Sequence, residues 1–222
     1  MKYALLFAVL LFSAAPAAAE ETARALPVPA LDVPAAGTRQ TAVLAGGCFW
    51  GMQGAFQHVK GVKQVTAGYS GGSAGTAHYE TVGTGTTGHA EAVEIVFDPH
   101  EIGYGRLLQV YFSLMDPTTR DYQSPDDGPQ YRSEIFAADA AQQRAAAAYI
   151  AQLERAHAFA APIVTRVSLL HGFYAAEAYH QDYLIRHPDQ PYIAVYDLPK
   201  IAKLQRLYPD LYRAEPVSLA LR

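Results

Sequence analysis

The order in which strand and helix patterns follow one another restricts the fold of this chain more than any other feature. Two helical patterns, at 49 to 59 and 105 to 115, divide the strand candidates into the order strand, helix, strand, strand, helix, strand. With further helical insertions, this order predicts an α+β protein, a ferredoxin-like split βαβ two-layer sandwich with additional helices and long loops. The strand candidates are 41 to 45, 62 to 69, 90 to 97 and 132 to 136.

The second half of the chain predicts three more elements. Asp139 and Gln142 match a capping box at the start of a helix that extends to about Ala158. Residues 163 to 170 predict a strand, and residues 177 to 186 predict a last helix. The chain contains neither an internal repeat nor a second domain, so we expect one domain.

The N-terminus has the pattern of an export signal. Lys2 precedes an apolar run from 3 to 12, and small residues close the pattern in Ala17-Ala18-Ala19. Cleavage after Ala19 would place the protein in the periplasm or outside the cell, and the run is too short for a permanent membrane anchor. We expect a signal peptide at 1–19, a flexible lead segment at 20–40, a folded domain at 41–199 and a C-terminal tail at 200–222.

Composition and charge exclude several classes of protein. Half of the 222 residues are apolar, which excludes a disordered chain. The 17 basic and 21 acidic residues leave a net charge of −4, so we expect no nucleic-acid partner. We also expect a monomer. The histidines at 89, 171 and 180 lack metal-ligand spacing, and we interpret them as hydrogen-bonding or surface residues, with no metal site.

Cys48 is the only cysteine of the chain. An exported protein would be expected to pair its cysteines in disulfides, so a lone thiol is either buried and inert or chemically employed. Cys48 follows Gly46 and Gly47 at a strand-to-helix turn, where backbone N–H groups and the helix dipole favour the thiolate. The glycines would let a substrate approach, although they also mark an ordinary turn.

Five side chains are candidates for a pocket around such a thiol. Phe49 and Trp50 belong either to the core or to an apolar cup for a small group such as a methyl. Period-two alternation places Glu91 on the apolar face of its strand, where burial would raise the carboxyl pKa; otherwise it is solvated at the strand's start. Tyr79 and Tyr131 lie at glycine-rich or polar loops, where binding residues concentrate.

Five ordered motifs resemble one known family. They are GCFWG at 47–51, GYSGG at 68–72, GHAEAV at 88–93, QYRS at 130–133 and YHQ at 179–181. Together they are similar to the signatures of peptide methionine sulfoxide reductase A, and the resemblance extends from Ala45 to Pro199. It implies that residues 41 to 199 form a catalytic domain that reduces the S epimer of methionine sulfoxide, free or in oxidised proteins, in oxidative-damage repair.

The resemblance also implies a role for each site residue. Cys48 would attack the sulfoxide sulfur and become a sulfenic acid, and Glu91 would protonate the sulfoxide oxygen. Tyr79 and Tyr131 would donate hydrogen bonds to that oxygen. Phe49 and Trp50 would hold the methyl group, and Asp126 would hold the polar end of the substrate.

The chain departs from the family pattern in two places. Many members carry a resolving cysteine in a stretch resembling GYC, where this chain has Pro191-Tyr192-Ile193, so an intramolecular disulfide is impossible. We therefore expect no bound cofactor and an external thiol reductant, a thioredoxin-like protein or dithiothreitol in vitro. The second departure is Gln123-Ser124-Pro125-Asp126, where the family commonly has QGND.

Two other functions are compatible with parts of the pattern. A cysteine hydrolase would use Cys48 as acyl acceptor with a histidine base, but no feature pairs a particular histidine with it. A non-catalytic exported binding module would hold a ligand between its aromatic loops without chemistry. Neither accounts for the five motifs.

Overall fold

The computed structural model describes residues 25–219. The regular elements of this part of the chain are eight strands, six α-helices and one π-helical turn. They are β1 (Gln40–Gly46), α1 (Phe49–Gln57), β2 (Val62–Ser70), α2 (Tyr79–Val82), β3 (Ala90–Phe97), α3 (Tyr104–Leu114), β4 (Tyr122–Gln123), β5 (Asp126–Asp127), β6 (Ser133–Ala137), α4 (Ala140–Arg155), β7 (Arg166–Leu169), β8 (Phe173–Ala175), α5 (Tyr183–Arg186), the π-helical turn (Ile193–Asp197) and α6 (Leu198–Leu207).

Six strands form one sheet in the order β7-β6-β1-β3-β2-β8. β3 is antiparallel to both β1 and β2, and β6 is antiparallel to β1. The first and second strands are therefore parallel and separated by the third, as the ferredoxin-like prediction requires. β8 extends one edge antiparallel to β2, β7 extends the other parallel to β6, and β4 and β5 pair separately.

The core lies mainly between the sheet and helices α1 and α3. Phe49 and Phe56 of α1 and Leu107 of α3 are buried in one cluster with strand residues such as Val93 and Ile95. The opposite sheet face carries a smaller cluster of short or apolar side chains: Val43, Ala45, Ala90, Ala92 and Phe136. The alternation of β3 thus places Val93 and Ile95 on the sheet face that packs against α1.

The predicted start of α4 is confirmed, with one change in its capping. Oδ1 of Asp139 accepts N–H bonds from Ala141 at 2.8 Å and Gln142 at 2.9 Å. Gln142 reaches back to the N–H of Ala138 instead of that of Asp139. The strand predicted at 163 to 170 is shorter, because only Arg166–Leu169 pairs with β6.

The single helix predicted at 177 to 186 is wrong. The structure has a 3₁₀ turn, Ala178–His180, and the short helix α5, which are separated at Asp182 by a left-handed backbone with φ of 54°. Polar side chains hold this break in place. Gln181 bonds both the N–H and the carbonyl of Ala67 on β2, and the N–H of Asp182 bonds Gln53 on α1. These tertiary bonds replace the helical ones.

Segments outside 41–199 pack against the domain. Residues 25 to 39 have no helix or strand, yet the N–H of Leu26 bonds the Tyr208 hydroxyl and the Tyr149 hydroxyl bonds the carbonyl of Pro27. At the other end, Leu204 and Tyr208 are buried in the main core. The predicted signal peptide lies outside the described residues. Between residues 25 and 219 no helix is both long and apolar enough to cross a membrane.

Candidate active site

Cys48 occupies the turn between β1 and α1, as predicted. Its carbonyl accepts the N–H of Met52, and its side chain is buried with 9 % exposure. Gly47 before it has φ of 88°, and a Cβ there would lie 2.7 Å from the Cβ of Gln123. Glycine is therefore required at position 47 for its backbone conformation and for space.

The prediction that the helix start favours the Cys48 thiolate is wrong. Burial raises the pKa of the thiol well above its ordinary value, and the nearby carboxyl groups of Glu91 and Asp197 raise it further. The backbone N–H of Trp50 and the ammonium of Lys200 lower the pKa, but by less. Desolvation thus outweighs the helix N-terminus, and the resting residue is a thiol.

Glu91 is buried against the first turn of α1. Its Oε2 accepts the N–H of Phe49 at 2.9 Å, and the residue is only 4 % exposed. Burial raises the pKa of its carboxyl group to about 8, with further increases from Asp126 and Asp197. The solvated alternative is excluded, and Glu91 carries a proton near neutral pH.

Two half-buried phenols stand near this carboxyl group and the thiol. Tyr79 begins α2, and Tyr131 ends a 3₁₀ turn, Pro129–Tyr131. Burial raises the pKa of Tyr79 to about 12 and raises that of Tyr131 as well, and in alkali the ionised forms of Glu91 and Cys48 raise both further. Both phenols therefore keep their protons and can act as hydrogen-bond donors.

Phe49 and Trp50 form an aromatic wall at the start of α1. Phe49 is buried and packs against Tyr69 at a centroid distance of 5.8 Å. Trp50 is half-buried, stacks on Tyr183 at 3.9 Å with an interplanar angle of 12°, and meets Tyr192 edge-on at 6.2 Å. The two rings thus belong to a continuous aromatic surface beside Cys48.

Asp126 is half-buried on β5 and receives a hydrogen bond from the hydroxyl group of Tyr192. Burial raises the pKa of its carboxyl group. Its charge also contributes to the raised pKa values of Glu91 and Tyr131, so the Asp126 carboxyl group lies close to both side chains. Tyr192 lies in the stretch where many family members would carry a resolving cysteine.

Sequence reasoning missed a buried ion pair beside Cys48. Asp197 is fully buried, and its Oδ1 lies 2.7 Å from Nζ of Lys200, while Oδ2 has no partner among residues 25–219. A Cβ at Gly51 would lie 2.0 Å from Oδ1, so the carboxylate occupies the space left by that glycine. The only signal was the glycine itself, which the sequence explains equally well as part of a tight turn.

The three histidines hydrogen-bond or face solvent, as predicted. His89 is buried and accepts the N–H of Gly72, and His171 is exposed. His180 is buried and accepts the indole N–H of Trp50 at 3.0 Å. Within the described part of the chain, no group of three His, Cys, Asp or Glu side chains could hold a metal ion.

A cavity of about 660 Å³ reaches Cys48 from the side of β1 and the C-terminal segment. Its walls include Gly47, Cys48, Asp126 and Lys200 as well as the loop from 156 to 161. Glu91, Tyr79 and the two aromatic rings do not line it. The cavity therefore meets Cys48 on a side that Glu91 and Tyr79 do not line.

Comparison with known proteins gives one result throughout. The family model for peptide methionine sulfoxide reductase matches residues 40–210. Peptide methionine sulfoxide reductase MsrA 2 of Mesorhizobium japonicum is 54 % identical over 188 residues, which cover 84 % of this chain and 96 % of that protein. Peptide methionine sulfoxide reductase MsrA of Thermus thermophilus is 44 % identical over 174 residues, covering 78 % and 98 %.

Solved structures similar to this chain belong to the same family as these sequence relatives. Mxr1 of Saccharomyces cerevisiae in its reduced form gives a TM-score of 0.63 at 29 % identity, covering 69 % of this chain and 88 % of that one. Methionine sulfoxide reductase A of Corynebacterium diphtheriae gives 0.60 at 29 % identity, covering 78 % and 92 %.

Proposed function

The chain belongs to the peptide methionine sulfoxide reductase family and reduces methionine sulfoxide, and we propose that it acts on the S epimer, free or in oxidised proteins. The observation that supports this assignment most directly is the protonated Glu91 carboxyl group held beside Cys48. Sulfoxide oxygen is a poor leaving group until it is protonated. A carboxyl group that keeps its proton near neutral pH can donate that proton to the sulfoxide oxygen.

The surrounding side chains fit the two ends of a methyl sulfoxide. The apolar wall of Phe49 and Trp50 suits the methyl group, and the phenols of Tyr79 and Tyr131 suit the oxygen, which is a strong acceptor. Asp126 lies at the cavity side of the cluster and would accept N–H bonds from the substrate backbone. The site thus separates the apolar and polar ends of the substrate and orients the sulfur toward Cys48.

Reduction transfers the oxygen atom from the substrate to Cys48. The thiol sulfur attacks the sulfoxide sulfur, Glu91 protonates the oxygen, and the thiol proton restores the carboxyl group. The protonated oxygen then moves to the Cys48 sulfur, the sulfur–oxygen bond of the substrate and the new sulfur–sulfur bond both break, and methionine leaves Cys48 as a sulfenic acid. The substrate sulfur gains two electrons, the cysteine sulfur loses two, and no net proton is consumed.

An external thiol must then regenerate Cys48, because the chain has no second cysteine. The thiol attacks the sulfenic sulfur, water leaves, and a second thiol resolves the mixed disulfide. The cavity that borders Cys48 gives such a thiol a route to the sulfur. We propose a thioredoxin-like exported protein as the partner, because the N-terminal pattern predicts a periplasmic or secreted protein.

The alternative functions fit the site less well. A hydrolase needs a histidine base for Cys48, but Nδ1 of His180, the histidine in this cluster, is occupied by the indole of Trp50. A binding module has no need of a buried carboxyl group that retains its proton. Mass spectrometry after exposure to substrate distinguishes the enzymes, since a reductase gains oxygen at Cys48 and a hydrolase gains an acyl group.

The proposed substrate is tested with the two epimers supplied separately. Protein beginning at Glu20 is incubated with S or R methionine sulfoxide and dithiothreitol, and methionine is quantified. We expect methionine from the S epimer alone and none from Cys48→Ser. Equal consumption of both epimers would exclude the proposed stereospecificity. Turnover by Cys48→Ser would exclude Cys48 as the nucleophile.

A further inference from the structure

His180 is a buried imidazole that touches three side chains of the site and has no role in the chemistry above. It is only 2 % exposed. Its ring centroid lies 5.0 Å from that of Phe49, 5.7 Å from that of Trp50 and 4.4 Å from that of Tyr79. The imidazole is therefore next to both aromatic residues of the methyl wall and to one phenol donor.

The hydrogen bond to Trp50 defines the protonation state of this ring. An indole N–H can only donate, so Nδ1 of His180 must accept and cannot carry a proton. The neutral ring then has its proton on Nε2, which is buried without a hydrogen-bond partner among residues 25–219. An imidazolium would place a second donor against the indole N–H. Protonation of His180 and its bond to Trp50 therefore exclude each other.

The groups facing His180 come from three elements. Glu177, on the same turn, lies 3.9 Å from Nε2, but its two oxygens already accept the Tyr69 hydroxyl group from β2 and the N–H of Tyr79 from α2. Tyr69, Tyr79 and Tyr179 have raised pKa values and remain neutral in acid. Glu177 is thus the one carboxylate among these that could stabilise an imidazolium.

We propose that neutral His180 is the positioning residue of the aromatic wall: it fixes Trp50 through the indole hydrogen bond and thereby sets the size of the alkyl group that the site accepts. The part of this proposal that concerns substrate size rests on the proposed function. The part that concerns Trp50 does not, because it follows from the geometry of the two rings alone.

The proposal has a defined pH dependence. Burial lowers the pKa of His180 below its ordinary value, although the charge of Glu177 opposes the shift. The imidazole is therefore neutral at pH 7, and its hydrogen bond to Trp50 is lost only as the pH falls below the pKa of an ordinary histidine. Trp50 is held over the whole neutral and alkaline range.

Trp50 is the only tryptophan in the chain, so its fluorescence reports this contact without catalysis. We expect the emission of the folded wild-type protein to change with a midpoint below about pH 6.5. His180→Asn keeps an acceptor near Nδ1 but cannot titrate, and it should abolish that transition. His187→Asn is the matched control, because His187 is exposed and contacts Tyr183, which stacks on Trp50. The control should retain the transition.

Two outcomes of the fluorescence experiment would overturn the proposal. The first is a pH-independent emission in wild type, which shows that the imidazole does not titrate against Trp50. The second is a transition that persists in His180→Asn, or disappears in His187→Asn, since another group would then be responsible.

Substrate size is tested by comparing methionine sulfoxide with ethionine sulfoxide, which carries one more methylene. A methylene in a fitted apolar pocket changes kcat/KM by about 10-fold or more. We expect His180→Leu, which fills the space but cannot accept a hydrogen bond, to reduce the preference for the methyl substrate by about 5-fold or more. His180→Asn should retain most of it. Equal preference in wild type and both variants would remove His180 from substrate selection while leaving the reductase activity intact.

Discussion

The backbone N–H of Phe49 donates a hydrogen bond of 2.9 Å to Oε2 of Glu91. The residue directly after the nucleophile therefore holds the proton donor, and the two reacting groups are joined through one peptide unit. Because Oε2 is occupied by this bond, Oε1 is the oxygen available to the substrate. The first turn of α1 thus positions the acid as well as the thiol.

Replacement of Glu91 by Gln should slow methionine formation in a single turnover by about 10²- to 10⁴-fold, the usual range for a general acid. The amide preserves the shape and the bond from Phe49 but has no equivalent proton to give. In wild type the rate should fall as the pH rises through about 8, where Glu91 ionises. Rapid-quench measurements across pH 6 to 10 test both effects. An unchanged rate in the variant would exclude Glu91 as the acid.

The same carboxyl group should make the fold less stable in alkali. Its pKa is about 8 in the folded protein and near 4.5 otherwise, so the folded state binds the proton more tightly. The free energy of unfolding should decrease as the pH rises from 4.5 to 8 and then level off. Glu91→Gln should therefore be more stable than wild type at pH 9, by about 2 to 5 kcal/mol, with little gain at pH 4.

Urea unfolding at several pH values measures this difference. Glu80→Gln is the control, since it removes an exposed carboxylate from α2. Parallel stability curves for wild type and Glu91→Gln would show that burial of this carboxyl group does not cost folding energy.

Asp197 and Lys200 should shift the reactivity of Cys48 in opposite directions. The Asp197 carboxylate raises the pKa of the thiol and the Lys200 ammonium lowers it. Asp197→Asn should therefore move the pH profile of Cys48 alkylation by iodoacetamide to lower pH, and Lys200→Met should move it to higher pH. Shifts of the two alkylation profiles in the same direction would contradict opposite effects of Asp197 and Lys200 on the pKa of the thiol.

Lys200→Met should also cost about 3 to 5 kcal/mol of stability, because it leaves the buried Asp197 carboxylate without a counter-ion. The exposed pair Lys63 and Glu101 provides the comparison, and Lys63→Met should cost at most about 1 kcal/mol. Chemical denaturation measures the free energy of unfolding of both variants. Similar losses of stability in the two variants would indicate that the ion pair of Asp197 and Lys200 is solvated.

Without a reductant, each chain should form one methionine and stop. The expectation follows from the single cysteine, because the sulfenic acid at Cys48 has no internal thiol to attack it. A sulfenic-acid probe should then label Cys48, and dithiothreitol should restore activity. Continued turnover without thiol, or more than one methionine per chain, would contradict external recycling.

The sequence predicts the central sheet well because its strands alternate cleanly. The predicted limits of β3 are those observed, and Glu91 lies on the buried side of the strand. Periodicity could not decide whether Glu91 was buried, since that depends on α1 lying over the end of the strand. The same limit applies to Cys48, where a helix start was visible in the sequence but the desolvation that outweighs it was not.

Contacts between distant segments account for what sequence reasoning missed. Asp197 is placed beside Cys48 by the packing of the C-terminal segment on α1, and nothing local distinguishes it from an acidic residue at a helix start. The break at Asp182 likewise depends on Gln53 and Ala67, which belong to other elements. Periodicity and capping rules describe neighbours in sequence and contain no such information.

The close approach of Asp197 to Gly51 also bears on how the protein is made. Synthesis proceeds from the N-terminus, so Cys48 is available long before the π-helical turn and α6 that cover its surroundings. A partly synthesised chain would leave this thiol open to water and to oxidants until the C-terminal segment docks. Refolding should therefore give more active protein when a reductant is present from the start than when it is added afterwards.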